Sequence, residues 1–306
     1  MPKYSIIIPV YNVEKYIKKC LDSVFDQTEK DFEVIVINDD CTDGSISIVR
    51  NYDVKMITTK HVSVSQARNL GVEEAKGEYL IFLDSDDYWD KNLLKNISKS
   101  LDNKPDLVRF QVRTVFDNGE KNDYYETEFE NKTGAEAFNI ISKFHFVESV
   151  WCYAIKREYY LKENFSFRKG MVHEDFGLTP LIVEKANVVN CINYIGYNYF
   201  RRTGSIMNNP DYSWTKQKVK DFYFHYLFLI DEINKTKLSN KKIFKSFCAN
   251  SVILKICELK GNDYKEYKNK LKKDDVFENL LSDTFARKVK KLIFKISPKL
   301  GSKFIK

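Results

Sequence analysis

Strand and helix patterns alternate through the first hundred residues of this 306-residue chain. Short apolar runs typical of buried strands occur at residues 4–9, 32–37, 54–58, 79–83 and 106–115. Apolar residues recur at helical spacing over residues 13–25, and residues 65–75 also predict a helix. This alternation predicts an α/β fold with a mostly parallel, doubly wound sheet. Ligands of such sheets bind beyond the carboxyl ends of the strands, which are expected near residues 8, 37, 57 and 83.

The rest of the chain is less regular. Residues 119–131 are acidic and tyrosine-rich and indicate a loop or an excursion from the sheet. Helices are expected at residues 133–141 and 175–186, and strands at residues 149–155 and 188–199. Beyond residue 210 the sequence is lysine-rich and has a helical pattern almost throughout. We therefore expect a domain boundary near residue 210.

Composition excludes several classes of protein. Hydrophobic residues make up 43% of the chain, which is enough for a sizeable core and excludes global disorder. No apolar run reaches the about 20 residues that span a bilayer, and the N-terminus has no signal-peptide pattern, so a cytoplasmic chain is expected. The six cysteines include no Cys-x-x-Cys pair, and the four histidines include no His-Glu-x-x-His motif. Reduced thiols are therefore expected, without a zinc site.

The net charge of +7 is concentrated in the last third of the chain, where residues 201–306 carry 25 Lys and Arg against 11 Asp and Glu. Within residues 285–306, apolar residues at 285, 289, 292, 293 and 296 share a helical face that basic residues flank. Such a basic amphipathic helix suits an anionic membrane surface, here the inner face of the cytoplasmic membrane. Packing of the same helix on the protein body is the alternative. No nucleic-acid recognition motif accompanies the charge, so nucleic acid is not expected as a partner.

Three carboxylates, Asp84, Asp86 and Asp87, follow the fourth predicted strand. Their mutual repulsion is unfavourable unless a cation or several hydrogen-bond donors neutralise it. Carboxylate oxygens suit Mg²⁺ or Mn²⁺, with substrate phosphates completing the coordination. The alternative is a solvated acidic turn that caps a helix beginning near Trp89.

A second acidic cluster spans residues 38–45, directly after the second predicted strand. Its Asp39 stands where a carboxylate could accept a hydrogen bond from a base or a ribose. The alternative is a turn and helix cap formed by residues 43–45.

Five motifs occur in a fixed order: Pro-Val-Tyr-Asn at 9–12, Asn-Asp-Asp-Cys-Thr-Asp-Gly-Ser at 38–45, Ala-Arg-Asn-Leu-Gly at 67–71, Ala-Lys-Gly-Glu-Tyr at 75–79 and Phe-Leu-Asp-Ser-Asp-Asp at 82–87. The set resembles the family 2 glycosyltransferases of bacterial glycan and lipooligosaccharide synthesis, which have the nucleotide-diphospho-sugar transferase (GT-A) fold. The resemblance is dense over residues 4–90 and thinner to about 205. It implies a catalytic domain at 1–210, with a nucleotide-sugar half at 1–100 and an acceptor half at 101–210. Residues 211–306 would form a helical, lysine-rich extension.

The resemblance implies a donor site for a UDP-sugar. Tyr11 would line the nucleotide pocket, Asp39 would bind the uracil imide, and Arg68 would lie near the diphosphate and the donor sugar. The other implied donor contacts are Pro9, Val10, Asp84, Ser85, Asp86 and Asp87. Among them Asp86, with Asp84, would ligate Mn²⁺ or Mg²⁺. Two departures border the donor: residues 40–41 are Asp-Cys where the family usually has Gly-Ser, and residues 60–66 lack the usual glycine-containing loop.

Two further segments carry the implied catalytic groups. His-Glu-Asp at residues 173–175 resembles the pair that supplies the catalytic base, with Asp175 preferred over Glu174 and His173. Capping of a helix is the alternative. Residues 199–205, which include Arg201 and Arg202, resemble the family's Tyr-Arg segment. The resemblance implies that one of these arginines binds the departing diphosphate, which a guanidinium can do bidentately. A surface role for both arginines is the alternative.

These features predict an inverting, metal-dependent enzyme that moves one hexose or N-acetylhexosamine from a UDP-sugar to a hydroxyl of a glycan or lipid-linked acceptor. The Gln-x-x-Arg-Trp motif of processive members is absent, which favours addition of a single sugar. A sugar-nucleotide-forming nucleotidyltransferase is one alternative, although residues 9–12 are not a glycine-rich triphosphate loop. A non-catalytic, membrane-associated binding module is the other.

Overall fold

The computed structural model of the chain describes residues 1–201, 211–238 and 241–303. They group into two units, Met1–Met171 with Ile182–Ser205, and Val172–Leu181 with Ile206–Lys306. The described residues form ten strands: β1 Tyr4–Val10, β2 Phe32–Asn38, β3 Lys55–Thr58, β4 Tyr79–Phe82, β5 Tyr88–Trp89, β6 Leu107–Phe116, β7 Lys121–Tyr124, β8 Phe129–Lys132, β9 Tyr153–Lys156 and β10 Val189–Arg201.

All ten strands belong to one sheet in the first unit, with the order β3-β2-β1-β4-β9-β6-β10-β5 along its main path. Strands β1 to β4 pair in parallel, and so do β6 and β10. The short β9 lies antiparallel between β4 and β6. The predicted α/β class with a mostly parallel sheet is confirmed.

In the described part of the chain, seven α-helices precede residue 190, and those in the first hundred residues alternate with strands as predicted. They are α1 Glu14–Phe25, α2 Ser45–Val49, α3 Val64–Glu74, α4 Leu93–Ser98, α5 Gly134–Ile141, α6 Arg157–Lys162 and α7 Thr179–Glu184. Helix α3 lies close to β1, since a Cβ added to Gly71 would stand 2.3 Å from a methyl carbon of Ile7. Any larger residue at this position would push the helix away from the strand.

Three local predictions hold only in part. Residues 119–131 form an excursion with two short strands and not one loop, because β7 pairs with β6 and β8 pairs with β10. Trp89 does not begin a helix: it belongs to β5, which pairs with β10, and α4 begins at Leu93. The strand expected at 149–155 forms only in its second half, as β9, and Val150–Cys152 before it is a turn of 3₁₀ helix. In the first two cases pairing with a distant strand overrides the local pattern.

Helices joined by turns make up the described part of the second unit, which contributes no strand to the sheet. Its helices are α8 Tyr212–Lys235, α9 Lys242–Ile256, α10 Gly261–Lys273, α11 Phe285–Ile296 and α12 Pro298–Ser302. Its core includes Leu229, Val252 and Phe294, each fully buried. Among the residues with described positions, no helix is both long and apolar enough to span a membrane. A boundary at residue 210 stays a proposal.

Candidate active site

Strands β1, β2 and β4 end side by side at the carboxyl edge of the sheet. The Asp39 N–H donates to the Val10 carbonyl at 2.9 Å, and the Leu83 N–H donates to the Ile7 carbonyl at 3.0 Å. Parallel pairing therefore brings the segments after these strands to one edge. The sequence-predicted donor residues from Pro9 to Asp87 all belong to this first unit.

Asp39 is buried in a small polar pocket after β2. Its Oδ1 accepts hydrogen bonds from the Val62 N–H at 2.5 Å and from the Thr59 hydroxyl at 2.8 Å. Its Oδ2 lies 3.8 Å from Nδ1 of His61, whose ring contacts the exposed ring of Tyr11 at a centroid distance of 4.7 Å. One carboxylate oxygen thus holds the loop after β3, and the other lies near the His61 ring, which contacts Tyr11.

The two departures from the family pattern both lie at this pocket. Asp40 has a backbone φ of 62°, in the left-handed region where glycine is usual. Aspartate is one of the few other residues that adopt this conformation readily, so the turn persists without the glycine. His61, in the second variant segment, has a φ of 46°. The sequence motifs gave no role to His61, because nothing local indicates that its ring faces Asp39.

Arg68 extends from α3 to the end of β4. Its guanidinium is buried, donates to Asp84 Oδ1 at 2.8 Å and lies over the ring of Phe167. Asp84 is partly exposed, and it begins a tight turn in which the Asp87 N–H donates to its carbonyl at 3.0 Å. The structure therefore joins two predicted donor residues in one ion pair.

Asp87, at the end of that turn, faces inward. Its carboxylate accepts from the Tyr197 hydroxyl at 2.6 Å and from the Phe200 N–H at 2.7 Å. Burial, and then the charges of Asp86 and Asp84, raise the pKa of Asp87 well above its usual value. Asp87 thus ties the acidic turn to β10. Sequence reasoning missed Tyr197, which is 110 residues distant along the chain.

The same turn offers oxygen ligands for a divalent cation. Ser85 is buried within it, and Asp86 is partly exposed. Burial is the main cause of the raised pKa of Asp87, and the nearby charges of Asp86 and Asp84 add to it, so a cation bound here would lower the cost of the clustered charge. The pair Asp84 and Asp86 fits Mg²⁺ or Mn²⁺, which take few protein ligands and complete their coordination with water and phosphate oxygens. In the described parts of the chain, no group of three or more His, Cys, Asp or Glu residues is arranged to hold a metal.

Four predicted residues remain. Arg201 ends β10, and its guanidinium lies 5.9 Å from the centre of the Phe116 ring, whereas Arg202 lies outside the described residues. Glu174 and Asp175 belong to the second unit. They lie in a turn, four to five residues before α7 begins at Thr179, so the prediction that they open a helix is wrong. The Asp175 carbonyl accepts from the Leu178 and Thr179 N–H groups, which closes that turn.

The sheet order and the acidic turn facing a buried arginine are the features of a GT-A nucleotide-sugar transferase. The profile of Glycosyl transferase family 2 matches residues 5–165. The chain belongs to this family, as the five motifs predicted.

Similar proteins agree with this family and fold. EpsJ of Bacillus subtilis, named an uncharacterized glycosyltransferase, is 30% identical over 223 residues, which are 69% of this chain and 64% of EpsJ. The chain thus spans less than two thirds of that relative. The structure of S. aureus TarS 1-349 in complex with UDP-GlcNAc has a TM-score of 0.71 at 19% identity, covering 91% of this chain and 82% of that one. The Pyrobaculum calidifontis mannosyltransferase PcManGT, in complex with GDP-Man and Mn²⁺, has a TM-score of 0.53 at 18% identity, covering 88% and 75%.

Proposed function

We propose that this chain is an inverting, metal-dependent glycosyltransferase that moves one hexose or N-acetylhexosamine from a UDP-sugar to a hydroxyl of a glycan or lipid-linked acceptor. The observation that carries the proposal is the Arg68–Asp84 ion pair beside Asp86 at the end of β4. It places a buried guanidinium and two carboxylates at the edge where a parallel sheet binds its ligands. A diphosphate would complement the positive charge of the guanidinium, and a divalent cation would complement the negative charge of the carboxylates.

In this proposal the donor binds along the edge of the first unit. Tyr11 and Asp39 hold the uracil, Arg68 and Arg201 or Arg202 bind diphosphate oxygens, and Asp84 contacts the ribose or the sugar. Pro9, Val10, Ser85 and Asp87 shape the pocket around them. Asp86, with Asp84, holds Mn²⁺ or Mg²⁺, which when bound offsets charge on the leaving diphosphate. The chain shares its fold with a protein solved in complex with UDP-GlcNAc and with one solved in complex with Mn²⁺, which supports the proposed UDP-sugar site and the proposed cation site.

The transfer step needs one proton acceptor. The acceptor hydroxyl oxygen attacks the anomeric carbon as the bond to the diphosphate oxygen breaks, UDP leaves, and Asp175 takes the hydroxyl proton. Glu174 is the second choice. Burial, and then the charges of Lys255 and Lys218, lower the pKa of His173 to about 3, so its ring is a poor proton acceptor. The two carboxylates are therefore the better candidates.

A panel of UDP-sugars with Mn²⁺ tests this function against both alternatives. A glycosyltransferase releases UDP in the presence of an acceptor. A nucleotidyltransferase would instead release pyrophosphate from UTP and a sugar phosphate. A non-catalytic module would bind UDP and release neither. Membership in family 2 favours the first outcome.

The pocket around Asp39 predicts a preference for uracil. Asp39→Ala is expected to weaken UDP binding about tenfold or more, because a hydrogen bond to a charged group contributes roughly 1.5–3 kcal/mol. Asp39→Asn is the matched variant. Its carbonyl can still accept from Val62 and Thr59, but its amide cannot accept the imide proton. Calorimetry should therefore show a similar loss for both variants, whereas tighter binding of GDP than UDP by the wild type would contradict this pocket.

We further propose that α11 places the protein on the anionic inner face of the cytoplasmic membrane. Phe285, Leu292 and Ile296 are 83%, 58% and 65% exposed, and Val289 lies in the same helical row. Burying this row in the headgroup region would gain apolar transfer energy, and nearby lysines would add electrostatic attraction.

The opposite face of α11 packs on the protein. Phe294 is fully buried, and its ring leaves no room for a Cβ at Gly301 of α12. Phe294 is not part of the apolar face that the sequence pattern predicts, and Pro298 begins α12 directly after α11. Several basic groups are also paired, since Lys291 and Lys295 contact Glu278 and lower its pKa to about 2. The apolar row is therefore the larger part of the proposed membrane contact.

Replacing two residues of this row tests the membrane contact without removing Phe294. The double variant Leu292→Ser and Ile296→Ser is expected to bind anionic vesicles at least about tenfold more weakly, because each side chain gains roughly 1.5–3 kcal/mol on burial. Leu227→Ser, at a 40% exposed position on α8, is the matched control. Vesicle sedimentation at two salt concentrations measures the effect. Unchanged binding by the double variant would place the contact elsewhere.

A further inference from the structure

The segment Val172–Leu181, which carries Glu174 and Asp175, groups with the C-terminal helices and not with the sheet. Its contacts to α8 are specific. Both polar backbone groups of Val172 are bound: its N–H donates to Asp221 Oδ2 at 3.1 Å, and its carbonyl lies 3.1 Å from His225 Nε2. Asp221 and His225 are both buried, so these bonds are partly shielded from water.

Two further contacts continue along the segment. The ring of Phe176 stacks on Phe222 with centroids 3.8 Å apart and planes 11° from parallel. The backbone at Gly177 lies against the His225 ring so closely that an added Cβ would stand 2.2 Å from Nδ1. The contacts therefore fall on both sides of Glu174 and Asp175, at positions 172, 176 and 177.

The contacting residues of α8 form one face of the helix. Asp221, Phe222 and His225 are spaced at i, i+1 and i+4, so they lie within about one turn. The Asp221 carboxylate is itself oriented, because its Oδ1 accepts from the Gln217 amide at 2.7 Å. A helix is a rigid support, and side chains that are locked by a second set of bonds hold geometry better than a free loop does.

We infer that α8 is the template that fixes the catalytic segment, with Asp221 and His225 as positioning residues for the proton acceptor of the transfer. This inference rests on the proposed function for the identity of that acceptor. It gives the C-terminal helices a part in catalysis beyond membrane contact. Neither residue needs to touch the substrates.

The test uses His225→Leu in the full chain, which removes the bond to the Val172 carbonyl at similar side-chain volume. We expect kcat to fall about tenfold to a hundredfold, as for a misplaced catalytic group, while the donor KM changes less than about twofold. Hydrogen exchange at the amides of residues 172–181 should become faster. His225→Gln can still donate to that carbonyl, so its kcat and its hydrogen exchange at residues 172–181 should both be close to those of the wild type.

Tyr226→Phe is the matched control, because it removes a buried hydrogen bond from the same helix. The Tyr226 hydroxyl accepts from Asn279, away from the segment. This control should lower the melting temperature while leaving kcat and the exchange of residues 172–181 unchanged. Unaltered exchange in His225→Leu, or an equal loss of kcat in the control, would overturn the inference.

The exchange measurement needs no substrate, so it separates this inference from the proposed function. If no UDP-sugar is turned over but exchange still rises in His225→Leu, the proposed function is wrong and α8 still fixes the segment. If the wild type transfers sugar while His225→Leu has native kcat and native exchange, the proposed function holds and α8 is not its template.

Discussion

Asp86→Ala should abolish sugar transfer and weaken the binding of UDP in the presence of Mn²⁺. Asp86 is partly exposed in the turn after β4, beside Asp84 and the buried guanidinium of Arg68. In the proposed mechanism Asp86 would be a ligand of the divalent cation, so its loss would weaken cation binding and leave the charge on the departing diphosphate without an offset. UDP release and calorimetric titration of UDP, each with Mn²⁺ and with EDTA, measure the two effects.

Asp86→Asn distinguishes a metal ligand from a turn residue. Asparagine suits a tight turn as well as aspartate does, so a purely structural role would leave this variant active. A metal ligand that needs its charge would lose activity in both variants. Full activity of the wild type in EDTA would contradict metal dependence altogether.

The strands that carry the candidate site could be predicted because their signals are local. Residues 6–8 and 34–37 are buried on both faces of a parallel sheet and are therefore continuous apolar runs, and α1 shows its helical spacing directly. The carboxyl edge then follows from the alternation alone. This much of the fold needs no knowledge of which strands pair.

The edge strands could not be predicted in the same way. Strand β7 has the sequence Lys-Asn-Asp-Tyr and has little β propensity of its own. It exists because β6 offers a free edge, and the Arg113–Asp123 ion pair lies across that pairing. Strand β5 has two residues and is defined by its pairing with β10. Such elements are set by contacts distant in sequence.

The residues of the candidate site differ in the same way: some have a local signal in the sequence, and others do not. Asp39, Asp84 and Asp86 stand out locally, because acidic residues directly after buried apolar runs are unusual. Their partners do not stand out. The Tyr197 hydroxyl and the His61 ring reach the site only through folding. Sequence therefore indicated which groups could do chemistry, and the structure adds which of their oxygens are already used.

Asp175→Asn should lower turnover by about 10²-fold or more while leaving UDP-sugar binding nearly unchanged, because a positioned general base contributes about that much to the rate. Asparagine keeps the shape of the side chain but cannot take the proton. The turn itself should survive, since it is closed by the Asp175 carbonyl and the Leu178 and Thr179 amides. Single-turnover kinetics at saturating donor, with Glu174→Gln as the matched variant, isolate the chemical step. An active Asp175→Asn with an inactive Glu174→Gln would move the base by one residue. Activity in both variants would mean that the proton leaves by another group, and the segment held by α8 would then lose its proposed catalytic role.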